Sequence, residues 1–415
     1  MNTKVMAYLE VGAIVMLPQI AAVEVYCTFC KTQPMTTDSA WRARWAVFIT
    51  FLLAGILIGA WVPHVPLAEQ RLGVGHGVFG LALLAIAAGA VTSMPFTGAL
   101  INRFGSARIT LVGGLLFGVG FLGPVFASTY FVFVIAAFIM GLGIGSMDVS
   151  MNAHGLAVEK VYKRPIISGL HAAWSVGCTV GAFGGSWIIE HASPGIEAMI
   201  AMVFFVIAHI VTCQYYLPSS ADKGLSESHF GWPTRATFGL GALCFLALMV
   251  EGSVADWAGI FTKERFAVDA AMAAFGFAFY QGGMSVSRFA GDALREKFGA
   301  VNVVVVSALL AAVGMSCALL APNLILAFVG YAAGGIGIGN IAPVLFAGGG
   351  RLEPDAPGRG IAAVVSMGYA GFLAGPPMIG FVAQFANLQF ALGLTVVGAL
   401  VIATFARGVA PADRY

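Results

Sequence analysis

The sequence predicts an all-α membrane protein of twelve transmembrane helices in two pseudo-symmetric six-helix bundles, and three observations predict it. Only 10% of the 415 residues are charged and 59% are hydrophobic, against about 25% charged in a soluble globular chain. So few charges cannot cover a water-facing surface, and most of this surface must face lipid. Apolar runs of helical length recur from Trp45 onward between short polar breaks, and the basic residues gather on alternate breaks. The 54 glycines agree, because membrane helices approach one another through small residues.

The predicted spans are 45–63, 78–101, 108–127, 130–154, 167–189, 197–217, 236–256, 271–291, 301–321, 324–347, 360–384 and 387–406. Most run about 18–25 residues, enough for the roughly 30 Å hydrocarbon core. Lipid offers no hydrogen-bond partner, so each must be helical. After the first 40 residues, 16 lysines and arginines (Arg288 counted among them) fall on one side and only Arg71, Lys263 and Arg265 on the other. The basic side is cytoplasmic by the positive-inside rule. Both ends of the twelve-helix core then lie in the cytoplasm of a multi-pass, monomeric protein of the cell inner membrane.

The first 40 residues read as an extension that is not native, with a thirteenth span or a poor signal peptide as alternatives. Glu10, Pro18 and Glu24 interrupt their apolar stretch, and Met35 precedes what looks like an ordinary cytoplasmic start. The lone Cys27-x-x-Cys30 pair carries no function. Cys178, Cys213, Cys244 and Cys317 fall in apolar segments and read as packing residues. The expected division is 41–217 for the first bundle, 218–235 for a cytoplasmic linker, 236–407 for the second bundle and 408–415 for a cytoplasmic tail.

The chain also repeats internally. A shift of 194, the separation of Gly105 from Gly299, lays Phe104-Gly105 on Phe298-Gly299 and Arg103 on Lys297. It lays Gly141-x-Gly143-x-Gly145 on Gly335-x-Gly337-x-Gly339, and Glu159 on Glu353. Repeats of even helix number are related by an axis along the membrane normal, and their mid-membrane interface is where substrate sites are built.

Gly98-Ala-Leu-Ile-Asn-Arg-Phe-Gly105 with Arg108 resembles the loop 2–3 signature of the major facilitator superfamily. Gly291-Asp-Ala-Leu-Arg-Glu-Lys-Phe-Gly299 is its second copy. The first copy carries Asn102 where the signature usually has Asp; Asp292 follows the opening glycine of the second copy. The runs Gly145-Ser-Met-Asp-Val-Ser-Met-Asn-Ala-His154, His171-Ala-Ala-Trp-Ser-Val-Gly177 and Glu251-Gly-Ser-Val-Ala-Asp-Trp257 are similar to the branch of L-fucose:proton symporters. That resemblance implies a small polar solute such as a sugar, and proton coupling.

Ionisable side chains inside a span cost about 2.5–3.5 kcal/mol each and therefore carry information. Asp148 and Asn152 share one face of span 4; His171, Trp174, Ser175 and Cys178 share one face of span 5. Asp148 and His171 should lie at similar depth, about 15 Å below the loop that joins their spans. They read as a proton-coupling pair, or else as a polar clasp between the two helices. Glu251, about 24 Å along span 7, is the second coupling candidate. Asp256 reads as an interfacial cap, and Trp257 as a site residue or an interface anchor. Asn152, Trp174, Tyr280, Gln281, Asn340, Ser366 and Tyr369 suit a hydroxylated solute, with interhelical bonding as the alternative. Arg103, Glu159 and Arg164, matched by Asp292, Lys297, Glu353 and Arg359, read as salt-bridge latches of an inner gate, although exposed pairs contribute only about 0–1 kcal/mol each.

These features point to a secondary transporter with alternating access that takes up a small solute with protons. A proton-antiporting exporter of drugs or metabolites is the alternative. The absence of a GxxxxGK loop argues against ATP drive. No pattern indicates a cofactor, metal, nucleic acid or enzymatic centre; the expected partners are solute, protons and the bilayer.

Overall fold

The computed structural model describes residues 37–164, 166–222, 233–353 and 356–413. Residues 1–36, with Cys27 and Cys30, and residues 223–232 of the expected linker lie outside them, as does the side chain of Asp292. The described chain is helical and forms α1 Asp38–Leu72, α2 His76–Phe104, α3 Ser106–Phe126, α4 Tyr130–Tyr162, α5 Ile167–His191, α6 Pro194–Cys213, α7 Phe238–Phe266, α8 Ala270–Phe298, α9 Ala300–Leu320, α10 Leu324–Leu352, α11 Pro357–Phe385 and α12 Leu388–Phe405. Eleven helices are long and apolar enough to cross a bilayer. The helix that falls short is α8, whose 29 residues end in the polar run Arg288 to Lys297. Phe131, Val132 and Ile135 of α4, Val306 and Val313 of α9 and Ile325 of α10 project outward, the pattern a lipid-facing surface requires.

Packing repeats between the halves. α1 packs on α5 as α7 packs on α11; α2 on α4 as α8 on α10; α3 on α4 as α9 on α10. The two Gly-x-Gly-x-Gly runs make this possible. A methyl on Gly141 would overlap the Ile86 carbonyl of α2, and one on Gly143 the Phe117 amide of α3. In the second half, Gly335 lies against the Tyr280 carbonyl of α8 and Gly337 against the Ala311 amide of α9. One glycine run thus seats two neighbours on opposite sides, in each half.

The loops after α2 and α8 also match. Gly105 turns at φ 88° and Gly299 at φ 78°, a region open to glycine and strained for other residues. Each turn is followed by a helix whose first amide is bonded by an acid from far along the chain. Ser106 N–H and Oγ–H donate to Asp222 at 2.7 and 2.6 Å. Ala300 N–H donates to Asp413 at 2.7 Å. Such acids satisfy orphan amides and complement the helix dipole. Burial pushes the Asp222 carboxyl up from its ordinary range, against the Ser106 bonds that pull it down.

Two expectations change here. Residues 408–413 are not a free tail: Ala406–Asp413 form a 3₁₀ segment with Ala406, Val409 and Ala412 buried, and Arg295 donates to the Ala412 carbonyl. Ser219–Asp222, at the start of the expected linker, folds onto α3 in the same way. Ser106, His154 and Asp222 form a buried chain that superficially matches a hydrolase triad. The serine hydroxyl, however, donates to Asp222, while His154 Nδ1 bonds Ser106 at 2.7 Å and its Nε2 accepts from Leu217 N–H at 3.1 Å. A serine whose proton points at the acid is a fastener, not a nucleophile.

The halves meet through α2 on α11 and α5 on α8. Hydrogen bonds and ring contacts between them gather at mid-depth and beyond it, away from the Arg/Lys-rich end. Phe183 meets Phe275 and Phe279, His76 and Phe79 meet Trp257, and Lys263 bonds Gln70. These contacts tie the two halves together from mid-depth to the far end.

Candidate functional site

At mid-depth on that seam lie two charged clusters, each joined across it. In the first, Asp148 of α4 accepts from Tyr369 Oη–H of α11 at 2.8 Å and from Asn152 Nδ2–H one turn away at 3.1 Å. Three sequence candidates thus converge on one carboxylate. In the second, Glu251 of α7 lies 3.5 Å from Arg288 of α8, with both side chains mostly buried. Arg288 Nη1–H donates across the seam to Ser175 Oγ of α5 at 2.7 Å.

Arg288 is a correction. Sequence analysis counted it with the basic residues of the cytoplasmic side although the predicted span 271–291 contains it, and the structure sets it ten residues inside the end of α8. A further backbone feature holds it there. Pro343 has no N–H, so the Gly339 carbonyl four residues earlier loses its helical donor. α10 breaks at Asn340, and Arg288 Nε–H reaches that carbonyl at 3.5 Å. Asn340 sits at the break against Gly291, where a methyl would overlap its side chain.

Asp148 and His171 do not pair. His171 instead sets its ring edge against Phe51 of α1 at 5.5 Å between centroids, and no bond links it to Asp148 among the described residues. Equal depth does not fix the direction each helix face points, and α11 supplies the partner instead. Trp174 lies at the seam beside Cys178 and Phe277. Ser366 lies one turn before Tyr369 on α11 and is half-buried. Tyr280 is fully buried in the core of the second half with its ring near Gly334, and among the described residues neither its hydroxyl nor Gln281 Oε1 has a hydrogen-bond partner. Asp256 lies ten residues inside α7 and caps no helix end, while Trp257 is fully buried and donates to the Pro376 carbonyl at 3.2 Å, so it anchors no interface.

The latch residues form no bond between halves among the described residues. Glu159 accepts from the Ile166 and Ile167 amides at 2.8 and 3.3 Å and caps α5. Arg103 and Lys297 lie over the neighbouring Phe104 and Phe298 rings. Glu353 bonds Arg359 at 2.7 Å and Thr234 at 2.8 Å, within the second half. These bonds, Arg359 first, hold the Glu353 carboxyl below its ordinary range. Arg164 is exposed.

Sequence reading missed two further groups. His64 and Glu197 form a buried pair at 2.6 Å between α1 and α6. Glu69, His76 and Glu264 gather at the far end. Neither set is visible as local spacing, because its members come from different helices.

Comparison with known proteins agrees with this geometry. The family model of the Major Facilitator Superfamily matches residues 45–294. An uncharacterized MFS-type transporter of Yersinia pestis is 31% identical over 361 residues, covering 87% of this chain and 94% of the relative. The chain belongs to the major facilitator superfamily of membrane transporters. Among solved structures, the nucleoside transporter NupG superposes with a TM-score of 0.68 at 12% identity, covering 88% of this chain and 98% of that one. The human organic anion transporter MFSD10 does so at 0.64 and 15%, covering 88% and 99%. At such identities the likeness concerns the fold alone.

Proposed function

We propose that this chain moves a small polar solute, of the sugar class that the L-fucose:proton symporter resemblance implies, across the inner membrane by alternating access, together with protons. The single observation that carries this reading is the pair of mid-depth clusters, Asp148–Tyr369 and Glu251–Arg288–Ser175, each linking the two halves across the seam. Protonating Asp148 weakens its hold on Tyr369; protonating Glu251 releases Arg288. Either step changes how strongly the halves adhere, and that is how an ion gradient biases a two-state carrier. Asn152, Trp174, Ser366 and Asn340 would supply hydroxyl-binding groups around these charges. With the basic end in the cytoplasm, as its Lys/Arg excess supports, a seam tied from mid-depth to the far end fits the inward-open arrangement. The latches Arg103, Glu159, Arg164, Asp292, Lys297, Glu353 and Arg359 would then be parted and engage when that end closes. The reading treats the protein as a monomer of two six-helix bundles.

The test begins with a thermal-shift screen of sugars against amphipathic drugs on the purified protein. The solute it identifies is then followed in liposomes with and without an inward proton gradient. Asp148→Asn and Glu251→Gln preserve volume and hydrogen bonding but remove the titrating charge. Each should lower uphill accumulation at least tenfold while leaving counterflow. Uphill accumulation at the native level in both variants would refute proton coupling through these residues.

A further inference from the structure

The far end carries a second chemical feature, separate from the central clusters. Glu69 near the end of α1 and His76 at the start of α2 come from the first half; Glu264 near the end of α7 comes from the second. His76 Nδ1 lies 2.7 Å from Glu69 Oε1 and His76 Nε2 lies 3.5 Å from Glu264 Oε1. One ligand atom from each residue falls within 4.8 Å of the others. All three line a cavity of about 360 Å³, which also includes Gln70, Val74 and Lys263. The Lys263 ammonium is turned onto Gln70 Oε1 at 2.9 Å, and among the described residues His76 is the basic group within ion-pair distance of both carboxylates.

We propose that Glu69, His76 and Glu264 form a site for one divalent transition-metal ion of the zinc class, and that the ion holds the far end shut by ligating both halves at once. The donor set fits that ion. One imidazole and two carboxylates supply three protein ligands and leave a fourth position for water, a common zinc arrangement. Two carboxylate charges balance the ion. A calcium ion asks for six to eight oxygens, more than the cavity presents. Tetrahedral zinc bonds of about 2.0–2.2 Å set ligand atoms about 3.3–3.6 Å apart, so the set, whose atoms now lie within 4.8 Å of one another, must close by roughly an ångström or a little more. Glu264, half-exposed and free to change rotamer, has room to supply it. The ion would displace the proton that His76 shares with Glu69.

Because the ligands belong to different halves, the set exists only while the far end is closed. An ion that binds one state and not the other must shift the population toward it. Zinc on this side therefore acts as a brake on the cycle. Only the braking consequence rests on the alternating-access reading; the binding does not.

The test uses the purified full chain in nanodiscs with zinc chloride alone. Titration calorimetry should show one ion bound per chain, with affinity at least tenfold weaker in Glu264→Gln and in Glu69→Gln, both near-isosteric and checked for monodispersity. Nitroxides at Gly73 and Ala267, in the far-end loops of the two halves, report their separation by pulsed electron resonance. Zinc should remove the longer-distance population in the native background and leave it in Glu264→Gln. Equal zinc affinity in the native chain and both variants would overturn the site. Native binding with a distance distribution indifferent to zinc would overturn the brake. Neither outcome bears on proton coupling at Asp148 and Glu251, which is read by transport.

Discussion

Helix α4 runs unbroken from Tyr130 to Tyr162, whereas its counterpart α10 divides at Asn340. The two glycine runs that seat these helices match residue for residue, so the scaffold is not what differs. The difference is Pro343, which falls 194 residues after Val149, and Arg288, which falls 194 after Met94. The first half brings a single acid, Asp148, on a continuous helix; the second brings Glu251 and Arg288 beside a broken one. The loops after α4 and α10 diverge likewise: Glu159 caps backbone amides, while Glu353 pairs with Arg359. Duplication supplied a symmetric frame, and the ionisable groups were placed on it asymmetrically.

Four experiments probe the comparison, taken from the largest expected effect down. Gly141→Val and Gly335→Val should each prevent recovery of monodisperse protein, because a branched side chain there meets backbone rather than a movable side chain. Overpacking of well-packed interiors costs about 1–3 kcal/mol, sometimes more. Equal damage in both halves is expected on size-exclusion chromatography; tolerance in one half alone would break the symmetry of the frame. Next, Arg288→Gln strands Glu251 and should reduce uphill transport at least tenfold and lower the thermal midpoint. The Glu251→Gln, Arg288→Gln double variant should regain the midpoint and not the transport, since removing both members of a mostly buried pair is cheaper than removing one.

The helix caps come third. Asp222→Ala and Asp413→Ala should each lose about 1 kcal/mol, read as similar drops in thermal midpoint. The smallest effect concerns pH. The Glu353 carboxyl is held below its usual range by Arg359 and Thr234, so its stabilisation is present above the ordinary carboxylate pKa. It is lost as pH falls through the lowered value. A nitroxide at Ala356 should gain mobility in acid in the native chain and show no such transition in Glu353→Gln.

Much of this was legible in the sequence. Composition and basic-residue alternation give the twelve spans, and the glycine runs give the duplicated packing. Mid-span cost singles out Asp148 and Glu251, and both lie at the seam. What escaped has identifiable causes. Arg288 was tallied only as a charge of the basic side because such a tally ignores depth. Tyr369 was selected as a polar group, but its partner was not, since helix depth leaves rotation about the axis undetermined. Asp222 reaches Ser106 and Asp413 reaches Ala300 across more than a hundred residues, and no local pattern encodes such contacts. The trio Glu69, His76 and Glu264 is a product of how the halves meet, so it is absent from either half read alone.

Pro343 has one more effect. A helix bends most cheaply where its ladder already lacks a rung, and in α10 that place is Gly339. The substitute rung is a side chain whose other ties are to Glu251 and Ser175. Neutralising one acid on α7 therefore slackens the joint of a neighbouring helix, so chemistry at a single carboxylate is felt as stiffness some distance away.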